Sequence, residues 1–300
     1  MLGLALVLWS FVPLRLEPAV LSATPLPAAS PPAGMSVSAL PTADLESRAA
    51  FAFRGGSISD ERLFSQTALL VRHPRGDLLF DTGLGEHARE HFEQTPGLMN
   101  KLTALTVKKP AARQLKEAGY DPSTLAGIVP THVHWDHISG VPDFGKVPVW
   151  LNDVERDYTQ SGGHITALMR SFRDVTTKRY AFAPKPYLGF AQSFDVWGDG
   201  SIVLVPAPGH TPGSILVFLT LPSRTRLVLL GDLVWQFEGI TLPAERPWPS
   251  RRLVDDDPEQ VRSVISHVAT LHARFPELQM LPAHDARAMA KLPVFPAMMP

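Results

Sequence analysis

Cysteine is absent from all 300 residues. That absence excludes disulfides, thiolate zinc sites and a cysteine nucleophile, so any metal must be held by His, Asp or Glu. An excess of charge of either sign is lacking too, since 28 basic residues face 29 acidic ones for a net charge of −1. With no basic stripe along the chain, no nucleic-acid partner is expected. Long apolar runs are also missing. The stretch from Met1 to Leu14 is apolar apart from Ser10, and it is too short for a stable membrane span. No internal repeat is visible. What remains, 45% hydrophobic and 19% charged residues, is the composition of a soluble globular protein. The length allows one large domain or two small ones with a substantial core.

The apolar start has the texture of a secretory signal core, with small residues at Ser22-Ala23 and Ala28-Ala29-Ser30 as cleavage points. No Lys or Arg precedes it, and Arg15 follows, so an ordinary buried segment is the alternative. The Pro/Ala/Ser stretch from Thr24 to Pro41 reads as an unstructured spacer. We take residues 1–35 as signal peptide plus Pro/Ala-rich disordered spacer, and 36–300 as one folded domain. Periplasmic or secreted protein is the expected outcome, with cytoplasmic residence as the alternative.

One segment stands out. Thr131-His-Val-His-Trp-Asp-His-Ile-Ser-Gly140 places three imidazoles and a carboxylate within six positions, in a chain with only 11 His. Neutral imidazole and carboxylate are the ligands that bind zinc and its borderline-soft neighbours. His132 and His134 are two apart, so on an extended segment both point the same way. Asp136 and His137 follow as the chain turns and can reach a second metal on the far side.

The surrounding pattern alternates strands and helices irregularly, as in a layered α/β or α+β domain. Gln66–Val71 and Asp77–Asp81 flank the turn His73-Pro-Arg-Gly76 and read as a hairpin. Strands are predicted at 125–130, 147–151, 201–206, 214–219, 226–230 and 278–281. Helices are predicted at 108–118, 153–173 and 258–275, the last capped by Asp257 with Pro258 at its first position. Three more candidate ligands lie just beyond predicted strands: His210 in APGHTPG, Asp232 in LLGD and His284 in PAHD. Strand ends at one sheet edge converge in space. Five His and two Asp suit two metals, with three His on one, two His and an Asp on the other, and a bridging carboxylate. Taken singly, His210 reads equally as an exposed loop residue, Asp232 as a helix cap, and His284 as half of a surface pair with Asp285. Asp81 in FDTG reads as a turn residue or as the acceptor that orients a ligand His. His73, His87, His91, His164, His267 and His272 have no metal-like context.

Taken together, HVHWDH at 132–137, GHTPGS at 209–214, GD at 231–232, PAHD at 282–285 and LLFDTGL at 78–84 resemble the metallo-β-lactamase-fold superfamily of hydrolases. The resemblance covers about residues 36–295 and implies an α+β fold, a four-layer αββα sandwich with a dinuclear site at one edge. It places His132, His134 and His210 on one metal, Asp136, His137 and His284 on the other, and Asp232 between them. Two Zn2+ per chain are implied, with Mn or Fe as alternatives. Two such metals acidify a shared water enough to supply hydroxide near neutral pH. The expected reaction is attack on a carbonyl polarised by one metal, with Asp136 and Asp232 as the catalytic carboxylates and Asp136 passing a proton to the leaving group.

For the substrate, a small molecule, the resemblance is closest to the lactonase-like branch, including N-acyl homoserine lactonases. True β-lactamases of this fold generally lack the bridging Asp. The chain departs from those lactonases at Trp235, where they usually carry a Tyr that contacts the substrate oxygen. Trp235 and Phe237 then line an apolar pocket or belong to the core. A small ester or lactone is the expected substrate. Phosphodiesters, organophosphates and glyoxalase-II-like thioesters are the alternatives, and the sequence leaves the oligomeric state open.

Overall fold

The computed structural model describes all residues except 1, 23, 96 and 98–102. Met1 and Ala23, parts of the expected leader, therefore lie outside the described residues.

Two sheets form the centre. The first carries β1 (Ser36–Arg48), β2 (Glu61–Arg72), β3 (Leu78–Phe80), β4 (Ala104–Val107), β5 (Gly127–Val129), β6 (Val149–Asn152) and β7 (Thr177–Tyr180), in the order β4-β1-β2-β3-β5-β6-β7. The second carries β8 (Phe194–Asp195), β9 (Ile202–Pro206), β10 (Ile215–Thr220), β11 (Arg226–Gly231) and β12 (Leu278–Pro282), in the order β12-β11-β10-β9-β8. Period-two alternation decides how they stack. Leu78 and Phe80 of β3 point into a core shared with Val217 of β10 and Leu229 of β11, whereas Leu79 between them points outward. The outward face of the first sheet packs on the helices Ala111–Glu117 and Ala167–Ser171 through Leu115 and Leu168. The outward face of the second packs on Pro258–Arg274 through Val261, Ile265 and Val268. Helix, sheet, sheet and helix make four layers, the expected αββα arrangement.

The hairpin around 73–76 forms as read, with Leu69 opposite Phe80. Several elements differ. The helix expected over 153–173 breaks into Asp153–Ser161 and Ala167–Ser171, because Gly162-Gly163 intervenes and Gly163 takes a left-handed φ of 61°. The helix expected over 108–118 starts only at Ala111, after Pro110. Strand β1, absent from the sequence reading, begins inside the stretch read as spacer. Its small residues Val37 and Ala39 are buried against the second sheet, and a register shift between Pro41 and Ala43 absorbs the proline.

From 10 to 35 the described residues carry neither helix nor strand, yet several of them lie against the body. Leu16, Leu21 and Leu26 pack on the outer core of the second sheet. Arg226 donates to the carbonyl of Pro27 at 2.9 Å, and the buried Arg54 donates to those of Trp9 and Val12, each at 3.0 Å. A proline-rich chain offers many unpaired carbonyls, and arginines of the body bond several of them. Among the described residues, no helix is long and apolar enough to cross a membrane.

Candidate metal centre

All seven candidate ligands meet at one edge of the sandwich, each carried there by a strand end. His132 and His134 follow β5, and His134 leads into the single turn Trp135–Ile138 that presents Asp136 and His137. His210 sits between β9 and β10. Its loop passes so close to the helix Pro258–Arg274 that a Cβ on Gly209 would stand 2.5 Å from the Val261 nitrogen, at a φ of 129°; only glycine fits there. Asp232 and His284 follow the parallel neighbours β11 and β12.

Two groups result. The ligand atoms of His132, His134 and His210 lie within 4.8 Å of one another, as do those of Asp136, His137 and His284. Asp232 spans both. Its Oδ1 is 3.1 Å from His137 Nε2 and 2.9 Å from His284 Nε2, while its Oδ2 is 3.4 Å from His210 Nε2. All but Asp136 are buried, and the side chain of Asp136 is only 12% exposed.

The outward ring nitrogens have partners. His137 Nδ1 donates to Asp81 Oδ2 at 2.8 Å, His210 Nδ1 to Asp255 Oδ1 at 2.9 Å, and His284 Nδ1 to the Ser65 carbonyl at 2.9 Å. With Nδ1 so engaged, the Nε2 atoms of these rings face the centre. There, His210 Nε2 and His132 Nε2 stand 3.1 Å apart, and His134 Nε2 is buried with no hydrogen-bond partner among the described residues. Converging nitrogen atoms with nothing to bond are costly without a cation, so the donor set fits divalent metal of the zinc type.

Electrostatics separate the two groups. Burial, then the neighbouring imidazoles, hold His132 and His134 well below the usual histidine range. Burial opposes charge on His137 and His284 too, but the carboxylates outweigh it: Asp81 and Asp232 raise His137 well above that range, and Asp232 and Asp136 raise His284. Asp232, despite burial, is held well below the carboxylate range by His284 and His137.

Asp81, read as a turn residue or as an acceptor that orients a histidine, accepts from His137. It also accepts from the Thr131 amide at 2.6 Å, fixing the start of the His loop. Trp235 lines the cavity described next, but its single N–H donates to Asp232 Oδ2 at 2.7 Å and so faces the cluster. Phe237 is a correction. It does not line the cavity but packs against the outer core of the second sheet, edge-on to His272 at 5.2 Å. The chain turns into the helix Glu238–Thr241 there and carries Phe237 away from the centre.

A cavity of about 300 Å³ opens over the cluster, with His134, Asp136, Asp232 and His284 in its floor. Its walls are mostly apolar, including Leu45, Phe64, Trp135, Leu168 and Leu253, and no Lys or Arg lines it among the described residues. His91 and His164, read as ordinary histidines, line its walls. Glu155 was not anticipated either. Fully buried, it accepts from the Val133 amide at 2.7 Å through Oε1, and from Thr211 Oγ1 at 2.7 Å and the Gly213 amide at 3.0 Å through Oε2. It thereby clamps the His132–His134 loop to the His210 loop.

Residues 62–294 match the metallo-beta-lactamase superfamily, most of the chain and every ligand position. The chain belongs to this superfamily. Among its members, a probable metallo-hydrolase of Mycobacterium tuberculosis is 29% identical over 235 residues, covering 72% of this chain and 73% of that one. An N-acyl homoserine lactonase of Agrobacterium fabrum is 27% identical over 182 residues, 56% of this chain and 65% of that protein. A human acyl-coenzyme A thioesterase is 32% identical over 187 residues, 55% and 57% of the two chains. A solved N-acyl homoserine lactone hydrolase, with N-hexanoyl-L-homoserine at its catalytic metal centre, superposes with a TM-score of 0.67 at 17% identity, over 89% of this chain and 100% of that one. At that identity the likeness shows the fold. The family match and these relatives support a metal-dependent hydrolase.

Proposed function

We propose that this member of the superfamily is a hydrolase of a neutral ester or lactone, working with two divalent cations, zinc foremost. The observation that carries the reading is Asp232, whose two oxygens reach toward separate ligand groups in the floor of an apolar cavity. His132, His134 and His210 would hold one ion and Asp136, His137 and His284 the other, with Asp232 shared. Bound there, the ions supply Lewis acidity and make water acidic enough to attack near neutral pH.

The rest falls to the chain. Asp136 lines the cavity as well as the cluster, so it carries a proton to the departing oxygen. Trp135, Phe64 and Leu168 hold an apolar substituent and exclude water. Among the described residues the wall carries no Lys or Arg, which disfavours phosphodiesters and coenzyme-A-type thioesters, whose phosphates need cationic partners. Export through the amino-terminal segment belongs to the same proposal, and amino-terminal sequencing of the mature protein tests it.

The deciding experiment is elemental analysis of protein purified without added metal, paired with turnover of lactones, aryl esters, thioesters and phosphotriesters. Two metal ions per chain and preference for an uncharged lactone or ester are expected. A single ion per chain, or preference for phosphotriesters, overturns the reading.

A further inference from the structure

Arg246 lies outside every motif that identifies the family, and its guanidinium is almost wholly buried, at 2% exposure. One terminal nitrogen, Nη1, donates to the carbonyl of Asp232 at 2.8 Å. The other, Nη2, donates to Asp255 Oδ1, the same oxygen that accepts from His210 Nδ1. The guanidinium carbon sits 4.8 Å over the Trp235 ring, and Trp235 donates to Asp232 Oδ2. Two closed paths therefore run from one side chain, to the ring of His210 through Asp255 and to Asp232 through its backbone and through Trp235.

We propose that Arg246 is a positioning residue: its planar fork locks His210 and Asp232 into one rigid unit, setting the geometry of the three-histidine group. The proposal rests on the reading that these two residues hold metal. The chemistry requires arginine. A guanidinium offers diverging donors in a fixed plane and a face that stacks on indole, whereas an ammonium is a point charge that serves one partner well. A buried Arg–Asp pair gives little net stability, since apolar residues of similar volume often do as well. Arg246 even leaves its Nε buried without a partner among the described residues. Such a side chain is poorly explained by stability and well explained by orientation.

The test uses the full chain, stripped of metal and titrated with cobalt(II), with the visible spectrum, the stoichiometry and the metal-free Tm as readouts. In Arg246→Lys, the metal-free Tm stays near that of the parent, while one of the two cobalt ions binds about 10- to 100-fold more weakly, the range for lost orienting partners of metal ligands. The d–d bands change with it. Asp255→Asn gives the same one-sided loss, and it serves alone if the arginine variant fails to fold. The double variant loses less than the sum of the two single losses, because both share the path through Asp255 to His210. Unchanged cobalt affinity and spectrum in a folded variant overturn the inference, as does equal weakening of both ions or strict additivity. Failure of the parent chain to bind cobalt would instead sink the underlying metal reading, and the inference with it.

Discussion

The two halves of the centre use the same imidazole in opposite surroundings. His132 and His134 sit among other rings, and burial keeps them neutral. His137 and His284 sit among Asp81, Asp136 and Asp232, which favour the protonated ring. The first half is thus ready for a cation, its lone pairs idle until one arrives. In the second half, the buried carboxylates stand behind the rings and favour positive charge there. Residue type alone does not set a ligand's resting state; what stands behind it does.

Removing the one group common to both halves gives the largest effect. Asp232→Ala should lower kcat/KM about 10³-fold, a loss of several kcal/mol of transition-state stabilisation, and weaken both metal ions in equilibrium dialysis. Loss of only one ion would mean that the halves are independent.

A matched pair probes the contrast itself. In metal-free protein, His284→Gln should cost about 1–3 kcal/mol of stability, because Asp232 and Asp136 lose a buried partner at 2.9 and 3.3 Å. His134→Gln should leave the metal-free Tm nearly unchanged, since its Nε2 bonds nothing in the protein, although metal binding falls in both. Equal losses in urea unfolding would erase the distinction. Glu155→Gln comes next. An amide in place of one oxygen turns a donor toward Val133 N–H or toward Gly213 N–H and Thr211. About 1–2 kcal/mol of stability should go, with weaker binding of the first ion alone. Weakening of the second ion would show that the clamp reaches farther than its hydrogen bonds.

The smallest effect is expected far from both halves. Deleting residues 1–14 takes two carbonyl partners from Arg54, so the unfolding free energy should fall by no more than about 1–2 kcal/mol. Metal content and turnover should stay as they were. A changed ratio of the two ions would tie the amino terminus to the centre.

The candidate ligands were legible in the sequence because metal chemistry admits few residue types, and His132 to His137 crowd them together. His210, Asp232 and His284 were legible because each follows a readable strand. Asp81 could be found because it ends β3 inside a recognisable turn. Glu155, Arg246 and Asp255 could not. Each is an ordinary charged residue, and its contacts exist only once segments 9 to 58 positions apart have met. β1 escaped because Ser-Val-Ser-Ala-Leu-Pro buries small residues, whose hydrophobic signal is faint. Phe237 was misassigned because neighbours two apart on a turning chain part company.

Asp232 and His284 stand side by side because each follows one of two hydrogen-bonded neighbours, β11 and β12, so the pairing of the strands brings them together. Trp135 apart, much of the cavity wall comes from elsewhere: Leu45 from β1, Leu168 from a short helix, Leu253 from another. Hardware and upholstery are separate in such a design. Wall segments can be lengthened, shortened or exchanged to admit a different guest while the strand ends keep the ion-binding frame at its fixed gauge.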